Sequence, residues 1–231
     1  MAALRAAPPS NEDSLRSSPP RVLLITDPSF ADEPTVRCVA AVAASLPPGA
    51  LVVQIRDKKR EDASLRLFAW QLRVVTRARG AWLVVNGRAD LARDVGAEGV
   101  HLGGGAGSVA DARGTLKGPA WISVAAHTDA DVARAREEGA DGVLVSPVFS
   151  TQSRTADGKH KRPRGLACLR SARRFAGPEL SIYALGGVTA ASARACFAAG
   201  ADGVALTRAL LSAQEPGREA RTIHDVWARR W

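Results

Sequence analysis

One five-residue word recurs three times in this chain. It reads Gly96-Ala97-Glu98-Gly99-Val100, then Gly139-Ala140-Asp141-Gly142-Val143, then Gly200-Ala201-Asp202-Gly203-Val204. Each copy closes a stretch of helical periodicity and opens a short apolar run. The first glycine suits the left-handed residue that ends a helix. The second is small enough for the helix end to pack close to the strand. A chain that punctuates itself this way builds repeated helix-to-strand units.

The rest of the sequence extends the pattern. Short, continuous, β-branched runs of the buried-strand type occur at 22–25, 51–55, 82–85, 99–102, 121–124, 142–145, 181–185 and 203–206. Helical periodicity or helix-start chemistry falls between them, at 35–46, 62–79, 89–95, 108–116, 129–138, 166–175 and 190–199, with a C-terminal helical region over 208–229. In the second helix Leu65, Phe68, Leu72 and Val75 recur at three- and four-residue steps. Alternation of this kind implies a parallel sheet with helices outside it. Eight units predict an α/β fold, a (β/α)8 TIM barrel of eight parallel strands with outer helices. A doubly wound open sheet is the alternative. The 231 residues suit one such domain over 21–231, after an extension at 1–20 expected to be disordered. That extension has no continuous apolar core, so it does not read as a secretory signal.

No apolar run approaches the roughly 20 residues needed to span a bilayer. The three cysteines, Cys38, Cys168 and Cys196, are odd in number and widely spaced. They argue against a disulfide framework or zinc site and fit a reducing, cytoplasmic compartment. Trp227 and Trp231 are expected to pack on the barrel bottom. Barrels of this kind often pair as homo-oligomers, but no exposed apolar patch is legible.

Function in parallel barrels collects just after the C-terminal ends of the strands. Those positions hold Thr26 and Asp27; Gln54, Arg56 and Lys58; Asn86 and Arg88; His101 with Gly103-Gly104-Gly105; His127; Ser146 and Pro147; Gly186-Gly187; and Thr207-Arg208. The set is rich in cations and neutral donors and poor in acids. It suits a phosphorylated small-molecule ligand. Alternation along an emerging strand sends Gln54, Arg56 and Lys58 to one side, where two cations and an amide would clamp a diphosphate. Gly186-Gly187 and Thr207-Arg208 occupy loops seven and eight, the recurrent phosphate site of such barrels; an ordinary tight turn is the competing reading. His127 is a candidate general acid or base; the competing reading is a hydrogen-bonded structural histidine. The loop 150–164 carries Arg154, Lys159, Lys161, Arg162 and Arg164 against Asp157. It therefore holds net +4 of the chain's +9 and reads as a cationic lid or a solvated charge run. No aromatic residue interleaves with those charges, which argues against a nucleic-acid partner.

Over about 21–212 the chain resembles the thiamine-phosphate synthase/TenI superfamily. The resemblance rests on Leu24-Ile25-Thr26-Asp27-Pro28, Gln54-Ile55-Arg56-Asp57-Lys58, Val85 through Ala92, Gly99 through Gly103, Ile122 through Thr128, Ser146 through Thr151, Ala184 through Val188, and Gly203 through Leu206. It implies a transferase of thiamine biosynthesis. Such an enzyme joins hydroxymethylpyrimidine diphosphate to thiazole phosphate and expels pyrophosphate with magnesium. The resemblance places Gln54, Arg56, Lys58 and Asn86 on the pyrimidine diphosphate. Thr151, Ser153 and Arg154 would hold the diphosphate and thiazole, Ser153 and Arg154 standing where the family has Thr and Lys. Gly187 and the Thr207-Arg208 turn would bind the thiazole phosphate. Arg56, Lys58 and His127 are the candidate catalytic groups.

The departures concern the metal. The family carries an acid directly after the strand-three Asn, where Gly87 stands. It carries a Gln-Glu-Asp segment where Gly104, Gly105 and Ala106 stand. Magnesium is expected of the family, but its ligand acids are absent, and no metal ligand or other cofactor is assigned. Asn86-Gly87-Arg88 resembles the TenI branch of thiazole tautomerases, while Pro147 matches the synthases where that branch places a histidine. The tautomerase, and a catalytically weakened phosphate-ligand binding or regulatory protein, are the alternative activities.

Overall fold

The computed structural model describes residues 19–151 and 162–229. Eight parallel strands close in chain order into a barrel. They are β1 (Val22–Ile25), β2 (Leu51–Ile55), β3 (Trp82–Asn86), β4 (Gly99–Leu102), β5 (Trp121–Ala126), β6 (Gly142–Val145), β7 (Ser181–Leu185) and β8 (Gly203–Leu206). Closure is made by β1 pairing with β8, Leu23 opposite Ala205. The open-sheet alternative is thereby excluded. The outer helices are α1 (Asp32–Ser45), α2 (Asp62–Ala78), α3 (Ala89–Asp94), α4 (Val109–Leu116), α5 (Asp129–Glu137), α6 (Ala167–Ala176), α7 (Ala190–Ala198), α8 (Arg208–Leu211) and α9 (Pro216–Ala228).

Two boundaries differ from the sequence expectation for reasons of backbone chemistry. Helix α1 begins at Asp32 rather than 35, because Pro34 lies in the first turn, where no N–H is required. The C-terminal region is two helices, because Pro216 starts a new one at its first position. Most of the extension at 1–20, most of the loop 150–164, and Trp231 lie outside the described residues. Pro20 is buried, and its carbonyl accepts the Tyr183 hydroxyl at 2.8 Å. Arg21 stacks on Trp227, 3.9 Å from the ring centre.

The repeated word builds the barrel bottom. Its acids Glu98, Asp141 and Asp202 each accept the backbone N–H of the strand before, from Leu83, Ile122 and Ile182 at 2.7, 2.7 and 2.8 Å. Each also pairs with an arginine from the helix that precedes that strand: Arg73, Arg113 and Arg173. The first glycines, Gly96, Gly139 and Gly200, have the expected positive φ. The second glycines do a different job from the one expected. A Cβ on Gly142 would lie 2.9 Å from the Trp121 ring, and one on Gly203 would lie 2.5 Å from the Tyr183 ring. These two make room for an aromatic plug inside the barrel, while a Cβ on Gly99 would lie 1.8 Å from the backbone carbonyl oxygen of Trp121 on β5. Trp82, Trp121 and Tyr183 meet edge to face there, with centroids 6.2 and 5.7 Å apart, a favoured geometry for aromatic pairs. The bottom is thereby sealed, and ligand access is left to the opposite mouth.

The three cysteines are buried and free. No helix among the described residues is long and apolar enough to cross a membrane. Helix α2 exposes Leu67, Trp70 and Val74, an apolar patch that was not legible in the sequence.

Candidate functional site

Polar side chains replace the aromatic plug near the mouth. Gln54 of β2 is buried, and its Nε2 donates to Oδ1 of Asn86 on β3 at 3.4 Å. Gln54 Oε1 is buried with no hydrogen-bond partner among the described residues. A buried carbonyl in that state costs about 1–3 kcal/mol until a donor arrives. On the neighbouring strands His101 Nδ1 and the Ser123 hydroxyl share a 2.9 Å hydrogen bond. Burial, then the charges of Arg56 and Lys58, push the His101 imidazole down to about 4. His101 is therefore neutral at physiological pH, under a cationic rim. Ser123 was missed by the sequence reading; its alternation with Trp121 along β5 was the available signal.

Arg56 and Lys58 are exposed at the end of β2. The Arg56 N–H donates to Thr26 Oγ1 at 2.9 Å, which ties the rim to β1. Lys58 does not reach the mouth by strand alternation, since β2 ends at Ile55. A turn carries it, in which the Asp57 carboxylate accepts the N–H groups of Lys59 and Arg60 at 3.1 Å each.

Loops six and seven are built together. Val148 and Phe149 donate their N–H groups to Leu185 O and Gly186 O, both at 2.9 Å. A Cβ on Gly186 would sit 2.8 Å from Pro147, and one on Gly187 would sit 2.2 Å from Ser150 O. Both glycines also have positive φ. The Gly-Gly pair thus lets segment 147–150 lie directly on the turn after β7. Thr151 continues that segment and is half-buried; Ser153 and Arg154 lie outside the described residues. Across the barrel closure, Arg208 Nε stands 3.9 Å from Asp27 Oδ2. Burial works against the Asp27 charge, but Ser29 hydrogen bonds, Arg208 and Arg56 hold its carboxyl below the usual range. Thr207 precedes α8 beside Arg208.

His127 stands apart from this cationic group. Its Nδ1 donates to Ser146 O at 2.9 Å, and its backbone N–H donates to the Asp131 carboxylate. This geometry fixes the tautomer and leaves Nε2 as the nitrogen available for proton exchange.

Magnesium needs several oxygen ligands in near-octahedral array. Two of the three positions where the resemblance expects carboxylates face each other: a Cβ on Gly87 would lie 3.6 Å from the Ala106 Cβ. They line a hollow of about 230 Å³ that also touches Asp90, Ser108 and Asp111. Neither of those acids is available. Arg88 grips Asp90 through two hydrogen bonds of 2.8 and 2.7 Å and draws its pKa down to about 2. Asp111 accepts the Ser108 hydroxyl at 2.7 Å in the cap of α4. Among the described residues no group of three or more His, Cys, Asp or Glu side chains could hold a metal. The donor set does not fit magnesium.

Residues 22–210 match the family model described as thiamine monophosphate synthase. A thiamine-phosphate synthase of Methanoculleus marisnigri is 37% identical over 202 residues, 87% of this chain and 92% of that protein. One from Albidiferax ferrireducens is 37% identical over 196 residues, 85% of this chain and 86% of that protein. Among solved structures, a thiamine phosphate pyrophosphorylase from Pyrococcus furiosus superposes with a TM-score of 0.77 at 24% identity, covering 90% of this chain and 95% of that one. That last likeness bears on the fold alone.

Proposed function

The chain belongs to the thiamine monophosphate synthase family, and we propose on that premise that it joins hydroxymethylpyrimidine diphosphate to thiazole phosphate, releasing pyrophosphate. The bond between the pyrimidine methylene carbon and the diphosphate oxygen breaks, and the oxygen leaves with the electron pair. The thiazole nitrogen then supplies the pair that forms the new carbon–nitrogen bond. The protein's part is to align the two partners and stabilise the departing charge.

The observation that carries this reading is the buried, unpaired Gln54 Oε1 below Arg56 and Lys58. An aminopyrimidine supplies the N–H donor that this carbonyl lacks, and Asn86 holds the amide in register. A diphosphate on the same molecule reaches the cationic rim. The Gly186-Gly187 turn and Thr207-Arg208 serve the thiazole phosphate, and by the family resemblance Thr151, Ser153 and Arg154 help to hold the diphosphate and thiazole. His127, its Nδ1 committed to the Ser146 carbonyl, presents Nε2 as the nitrogen able to protonate the departing diphosphate.

No step is routed through magnesium, whose carboxylate positions by the resemblance hold Gly87, Gly105 and Ala106. That loss favours a second reading, metal-free isomerisation or binding of a thiazole phosphate. The purified chain is assayed for thiamine phosphate from both substrates, with magnesium and with a chelator. Product in either condition supports the synthase. Absence of product in both, with isomerisation of the thiazole carboxylate phosphate, assigns the tautomerase instead. Binding of thiazole phosphate with no turnover assigns a binding protein.

A further inference from the structure

We propose that the outer face of α2 is the interface of a two-fold homodimer, in which α2 packs antiparallel on its own copy. Leu67, Trp70 and Val74 are 64%, 51% and 68% exposed. Among the described residues, they are three of the four large apolar side chains left in solvent; Phe175 on α6 is the fourth. At steps of three and four they share one helix face, and exposed Ala63 and Ala78 extend the stripe at either end. This stripe is separate from the buried face of Leu65, Phe68, Ala69 and Leu72 that holds α2 on the barrel.

The occupant follows from the order of residues along the stripe. About a two-fold axis between Trp70 and Gln71, Ala63 of one copy meets Ala78 of the other. Leu67 then meets Val74, and Trp70 meets Gln71. The same operation brings Asp62, which already holds Arg66 and Arg88 of its own chain at 2.7 and 2.8 Å, near Arg79. The apolar stripe is therefore complementary to itself, as a closed two-fold interface requires, and its two ends carry opposite charges. The cationic end awaits such a partner: among the described residues neither Arg77 nor Arg79 makes an ion pair, and both are exposed. Glu61 and Asp62 lie at the opposite, acidic end. An unrelated partner would have no reason to match this palindrome. The net charge of +9 per chain opposes association. At about 0.15 M salt it is screened beyond roughly 8 Å, while contacts within the interface persist.

The test is sedimentation equilibrium of the full chain at that ionic strength. The expected mass is about twice 24.2 kDa. Trp70→Glu is expected to sediment as a monomer with unchanged circular dichroism and melting temperature, since the side chain is on the surface. Arg79→Glu is expected to weaken dimerisation about tenfold, from the loss of two symmetric ion pairs. Leu67→Cys and Val74→Cys chains, mixed and oxidised, are expected to cross-link faster together than either does alone. The native cysteines are buried and do not compete. A monomeric wild type overturns the proposal, as does a Trp70→Glu dimer. Leu67→Cys chains that cross-link alone as fast as the mixture would rule out the antiparallel register.

Discussion

Gly87 and Ala106 face each other across the β3 and β4 ends, so that a Cβ on the glycine would touch the alanine at 3.6 Å. Two carboxylates on these positions would converge on one point, as a divalent cation demands. The chain has lost both together. The wild type is therefore expected to show no saturable heat with Mg²⁺ or Mn²⁺ in titration calorimetry. Gly87→Asp with Ala106→Asp is expected to bind Mn²⁺ measurably. Gly87 has φ +70, a region aspartate tolerates better than most residues, at a cost of about 1–2 kcal/mol. The double variant therefore folds with somewhat reduced stability. Wild-type metal binding, or a folded double variant blind to Mn²⁺, would sink this reading.

Gln54 presents a conflict between stability and binding. Its Oε1 is buried and unpaired, and its Nε2 reaches Asn86 only at 3.4 Å. Gln54→Leu removes the orphan carbonyl at nearly the same volume. Unfolding free energy from urea titration is expected to stay within about 1 kcal/mol of wild type or to rise. The KM or Kd for the pyrimidine diphosphate is expected to rise at least about tenfold, the value of one lost buried hydrogen bond. An unchanged affinity would mean that Gln54 does not meet the ligand.

Glu98 and Asp141 occupy equivalent places in the repeated word but differ in burial. Glu98 and its partner Arg73 are 5% and 9% exposed, against 36% and 40% for Asp141 and Arg113. Removing one partner of a buried pair strands the other charge, a cost of about 3–5 kcal/mol. Glu98→Ala is expected to lose that much in urea titration, including the lost acceptor for the Leu83 N–H. Asp141→Ala is expected to lose about 1–2 kcal/mol, mostly the Ile122 N–H bond. Equal losses would show that solvent screening does not separate the two sites.

The same pair shows which features the sequence carried. The barrel was legible because each strand is a short apolar run and each junction repeats the same word; both are local. The ion pairs were not, because Glu98 meets Arg73 and Leu83, 25 and 15 residues away, and no periodicity links them. Gly142 and Gly203 were assigned to helix packing because their aromatic neighbours, Trp121 and Tyr183, lie on adjacent strands. On α2 the strong inner period of Leu65, Phe68 and Leu72 masked a second, outer stripe; only burial separates them. At the mouth, alternation reaches Gln54, the last polar side chain on β2, and Arg56 stands one residue past the strand end. Alternation could not carry Lys58, which sits beyond the strand on a turn organised by Asp57.

His101 couples the mouth to pH. Its imidazole is fully enclosed, bonded to Ser123, and held neutral down to about 4, first by burial and then by Arg56 and Lys58. An unfolded histidine titrates near 6.5. Between those values the unfolded chain binds a proton that the folded chain refuses. Stability therefore falls as pH drops from about 6.5 to 4 and levels off below, by on the order of 3 kcal/mol from this residue. Carboxylates such as Asp90, held near 2, lose their contribution only as pH falls through the ordinary carboxylate range and below. They overlap the lower part of the histidine window and leave pH 6.5 to 5 to His101. Urea titrations across that interval are expected to give a positive slope of stability against pH in the wild type. The slope is expected to be much flatter in His101→Gln, which keeps a polar group beside Ser123 without the titration. Inorganic pyrophosphate bound at Arg56 and Lys58 neutralises the second cause of the low pKa. It is therefore expected to move the His101 NMR titration upward. An equal slope in the variant, or a His101 titration near 6.5 in the free protein, would contradict the buried, cation-shadowed site.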